Sequence, residues 1–488
     1  MSVKECRIID IHHVAEITNT KCIIYGTGKY GNKLYSFLKL KGWEKNIISF
    51  AVSDATGNPA VIDGIPVKTV GELKEKFAEC NVMIAIGIAH AGEVIQLLQG
   101  CEVKGLYCVT SEIMQSVVRE ITDAMKKLPL ERNKLFISCY EGMGYRCNCK
   151  YIAEKLLKDR YPVKIVWAVT GEAGGDIPEI IKKVTVNTYE YYREFYTSGI
   201  CISNCGILLF GEKREGQYYI NTWHGYGPFK KAQGAVYEDK ERLRKVKEIN
   251  SNFDLFVTGS TFYSQIYRDS FFYEGEIGEW GAPRNDVFFA DNAVRDSVYK
   301  TFGIPSDKKL VLYAPTFRED VSNSFEQYDL DLSKIVEALN TRFAGEFVMM
   351  YRFHHYLHAV GKCRDYYKQG IDATYYPDIQ ELLAAADVVI TDYSSLMWDF
   401  SLQRKPVFLY QNDEARYRAD RGFYCPVSGW PYPKAHNKEE LSDVIRNFDN
   451  EKYVRDLDAF LEKYGSCDDG NASARVAARI MKVIEGNI

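Results

Sequence analysis

The chain has 488 residues, 46% hydrophobic and 26% charged, and its 62 Lys and Arg against 66 Asp and Glu leave a net charge of −4. That length holds two to four domains with cores of their own, in the composition of an ordinary soluble globular enzyme. The balance of charge argues against a nucleic-acid binder, and no window approaches 18 uncharged apolar residues, so no membrane span is expected.

The opening "MSVKECRIIDIHH" has no apolar core of a secretory signal. The 13 cysteines are therefore expected as reduced cytosolic thiols, and their odd number argues against a complete disulfide framework. Cys139, Cys147 and Cys149 lie close together but lack a fourth ligand and zinc-site spacing. The 35 Tyr and 25 Phe could line a sugar or nucleotide pocket, although core and surface roles account for any one of them.

Apolar runs alternate with helical patterns throughout, which predicts α/β layers. In the first block, residues 1–125, a strand Cys22–Tyr25 runs into Gly26, Gly28 and Gly31 and then an amphipathic helix. A second strand, "IISFAVSD", ends at Asp54, and "VMIAIGIA" is a later one. Gly26, Gly28 and Gly31 with Asp54 fit a Rossmann-like turn that lets a backbone approach a pyrophosphate. A tight strand–helix turn without redox chemistry fits the same residues, and nucleotide or sugar-nucleotide binding there stays open. The second block, residues 130–300, and the third, residues 301–488, repeat the strand, polar turn and helix pattern. Two such blocks imply facing Rossmann-like domains with a cleft between them. The terminal helix in "NASARVAARIMKVIEG" has Asn471 or Ser473 as its expected cap.

Open parallel sheets bind ligands beyond the carboxyl ends of their strands. The residues expected there are His224 after "YYIN", Arg284 in "GAPRNDVFF", Thr316 and Arg318 after "LVLYAP", and Arg352, His354 and His355 after "FVMMY". Asp392, Ser394 and Ser395 follow the buried run Val388–Ile390, just before a helix that begins at Leu396. Arginine forks, hydroxyls and unpaired helix N–H groups suit a phosphorylated anion. For Ser394 and Ser395 the competing role is N-capping, by Asp392 or Ser394, worth about 1 kcal/mol; one segment can serve both. A histidine in a turn after a strand can accept a proton near neutrality, and the flanking "TWHGYGPFKK" favours that over a packed histidine.

In chain order, "TWHGYGPFKK", "SNFDLFVTGSTFYSQIY", "GAPRNDVFF", "VLYAPTFRED", "YRFH", "DIQELLAAADVVITDYSSLMWDFSLQRKPVFLY" and "RGFY" resemble the teichoic-acid CDP-glycerol glycerophosphotransferases, over roughly residues 130–465. The resemblance implies a GT-B-like pair of facing Rossmann-like domains preceded by an extra Rossmann-like domain of uncertain role. It places the acceptor site and the base in 130–300 and the CDP-donor site in 301–488. It implies transfer of a polyol phosphate, most simply glycerol phosphate, from a CDP-activated donor to a hydroxyl of a teichoic-acid or capsule-type acceptor, with release of CMP. His224 matches the family's Trp-His-Gly base and His354 the Arg-x-His motif, whose usual proline is here His355. Arg284, Thr316, Arg318, Arg352, Asp392, Ser394, Ser395 and Arg421 match donor-site motifs, and Asp413 is placed at ribose or polyol hydroxyls or at a helix cap. Where some members have Thr-Pro after Trp-His-Gly, this chain has Tyr226-Gly227-Pro228, which leaves the acceptor undetermined.

No acidic cluster is poised to hold magnesium, since Asp286, Asp392 and Asp413 stand in separate motifs, so transfer without metal or cofactor is expected. The resemblance further implies a lipid-linked or polymeric acceptor and a peripheral position at the inner face of the cell membrane. Glu238 to Phe253 forms an amphipathic helix pattern with Leu243, Val246 and Ile249, which an ordinary surface helix explains equally. Two competing readings use the same residues: a GT-B glycosyltransferase with a sugar-nucleotide donor, and a non-catalytic nucleotide-binding protein.

Overall fold

The computed structural model describes residues 6–8, 10–171, 173–205, 213–316, 318, 328, 330–353 and 370–488. The chain divides into two compact units. One comprises Met1–Gly144, Val163–Cys201 and Leu208–Gln217, the other Tyr145–Pro162, Ile202–Ile207 and Tyr218–Ile488.

In the first unit, strands β1 (Arg7–Ile8), β2 (Cys22–Tyr25), β3 (Ile47–Val52), β4 (Val61–Ile62), β5 (Ile65–Thr69), β6 (Asn81–Ile84) and β7 (Gly105–Cys108) form one sheet, in the order β1-β7-β6-β2-β3-β5-β4. Every pairing is parallel except that of β4 with β5. β2 is apolar along its whole length because helices cover both faces of a parallel sheet, and all four of its residues are buried. From β2 the chain steps one way to β3 and later returns to the other side at β6, the reversal at which doubly wound sheets hold ligands. Gly26 takes φ +109°, and a Cβ on Gly31 would lie 1.9 Å from the Gly26 carbonyl oxygen, so both positions demand glycine. Strands β8 (Glu131–Ser138), β9 (Lys164–Val169) and β10 (Lys182–Thr185) also belong to this unit and pair in parallel, β9 in the middle. Strand β11 (Ser198–Ser203) follows.

The expectation of reduced thiols is corrected at one pair. Cys6 and Cys108 form a disulfide, brought together by the parallel pairing of β1 with β7, which sets Ile8 opposite Cys108 and the two cysteine Cα atoms 6.2 Å apart. A separation of 102 residues hides that proximity from a reading of spacing.

In the second unit, β12 (Tyr218–Asn221), β13 (Leu255–Val257) and β14 (Glu276–Gly278) run parallel. A six-stranded parallel sheet follows, built from β15 (Lys309–Tyr313), β16 (Phe347–Tyr351), β17 (Ile371–Asp372), β18 (Val388–Thr391), β19 (Val407–Tyr410) and β20 (Lys434–Ala435) in the order β17-β16-β15-β18-β19-β20. The α/β layering expected from the sequence is what forms. In the helix Lys240–Asn250, Val246 is buried, while Leu243 and Ile249 are half-buried. The terminal helix Ala472–Ile484 is capped from afar. Asp286 accepts from the N–H groups of Ala472 and Ser473 at 3.0 and 2.8 Å, whereas the Asn471 side chain makes no cap bond.

Candidate active site

β12 ends at Asn221, whose Oδ1 accepts the Trp223 N–H at 2.7 Å and pulls the chain into a turn. Trp223 sits at φ +47°, a left-handed conformation that costs a bulky residue free energy and persists only when its surroundings fix it. His224 comes next. Its Nδ1 lies 2.7 Å from the carbonyl oxygen of Asn204, which can only accept, so Nδ1 carries the proton and Nε2 the lone pair. Burial lowers the His224 pKa to about 4; the bond to Asn204 opposes that shift, and the charge of Arg284 adds to it. At neutral pH the ring is therefore a neutral base in one defined tautomer.

Two side chains hold the turn from behind. Asn148, fully buried at the start of the helix Cys147–Lys158, donates to the carbonyls of Trp223 (2.9 Å) and Thr222 (3.4 Å) and to the Tyr226 hydroxyl (2.7 Å). Arg284 donates from Nη1 to the His224 carbonyl at 2.8 Å and from its backbone N–H to Asn148 Oδ1 at 3.0 Å. Its Nη2 pairs with Asp399 Oδ2 at 2.7 Å. Asn285 Nδ2 bridges Asp399 and Asp468, 3.2 Å from each, and its own Oδ1 accepts from Gln380 at 2.8 Å. Burial raises the pKa of Asp399 and lifts that of Asp468 to about 7, the charge of Asp399 adding to the second shift while Arg284 opposes both.

A second cluster forms where β15 and β18 end side by side. Asp392 accepts from the Thr316 N–H (2.9 Å) and hydroxyl (2.7 Å) and pairs with Arg318 Nη2 at 2.9 Å. Arg318 also donates from Nε and Nη2 to Asp413 at 2.8 and 3.0 Å, and its guanidinium carbon lies 4.6 Å from the centre of the Tyr417 ring. Burial pulls the Arg318 pKa down, but Asp413 and Asp392 outweigh it and hold the group above its ordinary value. Asp392 is thus tied to β15 and does not cap the helix Leu396–Ser401; Ser394 Oγ reaches the Leu396 N–H only at 3.5 Å.

The two regions are joined within this unit. A Cβ on Gly225 would stand 3.8 Å from Ser395 Oγ, so the His224 turn abuts the serine pair. Farther along, Tyr424 and Cys425 donate to the carbonyls of Phe229 (2.8 Å) and Pro228 (3.1 Å), and Lys231 donates to Gly422 (3.3 Å). Arg352 follows β16, its N–H on the Tyr313 carbonyl at 2.9 Å. His354 and His355 lie outside the described residues, and Arg421 ends the helix Glu414–Arg421 with its side chain outside the description.

In the first unit, Gly28 starts the helix Lys29–Lys41 with no side-chain cap, and a Cβ there would meet nothing within 4 Å. Asp54 Oδ1 accepts from the N–H and hydroxyl of Thr56, both at 2.9 Å. Among the described residues no group of three or more His, Cys, Asp or Glu could hold a metal ion. Nor, among them, is any helix long and apolar enough to cross a membrane.

Sequence reasoning named Asn285 beside Arg284 but missed Asn148, Gln380, Asp399 and Asp468. Asn148 had a usable signal: it precedes Ile152 and Leu156 by four and eight positions, a polar residue on a buried helical face. Asp399 had another, as the one acid in the wholly buried run Met397–Ser401.

Residues 121–482 match the model of the CDP-glycerol:poly(glycerophosphate) glycerophosphotransferases. The teichoic acid poly(glycerol phosphate) polymerase of Staphylococcus epidermidis is 28% identical over 381 residues, 75% of this chain; the chain spans about half of that relative, 52% of its length. The polymerase of the same name from Bacillus spizizenii is 25% identical over 72% of this chain and 93% of its own. Among solved structures, a histidine-to-asparagine variant of the wall teichoic acid polymerase TagF soaked with CDPG aligns with a TM-score of 0.68 at 27% identity, covering 76% of this chain and 93% of that one. With a family model matched along most of its length and a TagF-like fold, the chain belongs to the CDP-glycerol:poly(glycerophosphate) glycerophosphotransferase family.

Proposed function

We propose that the protein transfers a polyol phosphate, glycerol phosphate first among them, from a CDP-activated donor to a hydroxyl of a teichoic-acid or capsule-type acceptor and releases CMP. The observation that carries this reading is His224, neutral, with its lone pair on Nε2, in a turn beside Ser395. The acceptor O–H gives its proton to Nε2 as its oxygen attacks the phosphorus that bears the polyol. The bond from that phosphorus to the bridging oxygen breaks, and CMP leaves with that oxygen and the electron pair. Charge develops on the phosphoryl oxygens, which calls for fixed hydrogen-bond donors.

Ser394 and Ser395, with Arg352, His354 and Arg421, are assigned to the diphosphate. Arg318 between Asp392 and Asp413 leaves that group of three one negative charge in excess, which suits ribose or polyol hydroxyls, with Thr316 completing it. The carboxylates of Asp286, Asp392 and Asp413 are all engaged within the protein, and we take transfer to need no metal. The domain plan is that of a GT-B pair, 130–300 carrying the base and 301–488 the donor site. It follows a 1–125 domain whose Gly26, Gly28, Gly31 and Asp54 form a candidate nucleotide turn. Work at the inner membrane face on a lipid-linked or polymeric acceptor completes the reading.

The test is a panel of CDP-glycerol, CDP-ribitol and UDP-sugars, scored by the nucleotide released, with and without chelator. CMP from a CDP-polyol in both conditions is expected. UDP release would transfer the protein to the glycosyltransferases, and turnover only with added divalent ion would end the metal-free mechanism.

A further inference from the structure

We propose that Arg284 and Asp399 are positioning residues, a buried pair that fixes the His224 turn, and that Arg284 does not serve as a ligand of the donor phosphates. The inference rests on His224 being the base. Arg284 faces the wrong way for a phosphate ligand: Nη2 is committed to Asp399 at 2.7 Å and Nη1 to the His224 carbonyl at 2.8 Å. Both side chains are almost wholly buried, at 6% and 3% exposure. Nη1 also reaches Cys147 Sγ at 3.4 Å, so a donor phosphate would have to enter a buried site that the chain's own groups already fill, beside a carboxylate that repels it.

The grip on the turn is two-handed. Arg284 holds the carbonyl of His224 while Asn148 holds that of Trp223, and the Arg284 backbone N–H ties the two hands together through Asn148 Oδ1. This is the surrounding over-determination that a left-handed Trp223 requires. Asp399 is fixed in turn by Asn285 at 3.2 Å and Gln380 at 3.4 Å. Asp468, on the far side of Asn285, is the other acidic group facing the pair. If the turn relaxes, Nε2 leaves the geometry that proton abstraction demands, and turnover falls while donor affinity does not.

Arg284→Gln, Arg284→Lys, Asp399→Asn and the double Arg284→Gln/Asp399→Asn variant test this with the full chain and CDP-glycerol. Each single substitution is expected to lower kcat at least 30-fold with the donor KM within threefold of wild type, and the double to be no worse than the weaker single, because the pair acts as one unit. Arg284→Lys, which keeps the charge and loses the fork, should not rescue turnover. Hydrogen exchange at the amides of residues 222–226 supplies a readout that needs no activity; at least tenfold faster exchange is expected in Asp399→Asn, with β18 unchanged. A tenfold rise in donor KM with kcat preserved in Arg284→Gln would return Arg284 to the donor site. Turnover within twofold of wild type in Asp399→Asn, or unchanged exchange, would also overturn the proposal. His224→Ala run alongside separates the two failures: wild-type turnover there removes the base itself, whereas its loss together with a KM effect in Arg284→Gln removes the positioning role alone.

Discussion

Arg318 and Arg284 sit in the same unit, each pressed against carboxylates, each in a motif that reads as anion binding. Their surroundings differ. Arg318 lies at the carboxyl end of a parallel sheet, between Asp392 and Asp413 and against the ring of Tyr417, and it draws together the ends of three strands. Arg284 lies in the short turn Pro283–Phe289, faces Asp399 and holds the main-chain carbonyl of His224. The first arginine organises groups that can meet a ligand; the second organises the backbone from which His224 projects. An arginine's role is therefore set by what its five donors meet, and residue type within a motif does not report that.

The comparison is tested hardest at the histidine both regions flank. His224→Ala should lower turnover by about 10²–10⁴-fold, the range for loss of a general base, with unfolding by urea little changed. Because kcat/KM reports the free enzyme, its acid limb should lie near the His224 pKa of about 4 and leave the rate flat from pH 6 to 8. An acid limb at the ordinary histidine value would mean that burial does not govern this ring.

Arg318→Gln is next in size. It strands two carboxylates that are 5% and 13% exposed, and breaking a buried pair from one side costs about 3–5 kcal/mol. Unfolding by urea should show that loss together with a raised donor KM, in contrast to the kcat effect expected at Arg284. A kcat effect at both arginines with donor KM unchanged would erase the distinction between them.

Much of this was legible beforehand where the signal is local. Cys22–Tyr25 and Val388–Ile390 declare themselves as strands because an apolar run of four or so residues, closed by glycine or polar residues, can only be buried on both faces. Gly31 was legible as a glycine of a tight strand–helix turn, and it packs on Gly26. Capping by Asp392, the competing role weighed for this segment, does not occur, because its partners, Thr316 and Arg318, are more than seventy residues away in sequence and arrive through the pairing of β15 with β18. The same reason hid the Arg284 network. Asn148, Asn285, Asp399 and Asp468 come from four separate segments, and no window contains two of them as neighbours in space. Local chemistry names the residues of a site, and the chain's long-range pairings decide which of them face a ligand and which face each other.

The smallest expected effect concerns the charge balance behind His224. Asp468 Oδ1 accepts from the N–H of Ala282 at 2.8 Å and from Asn285, while burial and the neighbouring Asp399 raise its pKa from 3.8 to about 7. A carboxyl whose pKa is raised on folding contributes stability in full below 3.8 and loses it progressively as pH rises to about 7. Asp468→Asn keeps the accepting oxygen and removes the titration. The stability of the variant relative to wild type should therefore increase by about 2–3 kcal/mol between pH 5 and pH 8 and level off above that. His224 titrates in the opposite sense, costing stability as pH falls from 6.5 towards 4, but it is common to both proteins and cancels in the difference. Urea unfolding of the pair at four or so pH values measures this directly. A difference that does not vary with pH would show Asp468 ionised throughout, and Arg284 would then have two anions to balance where the geometry gives it one.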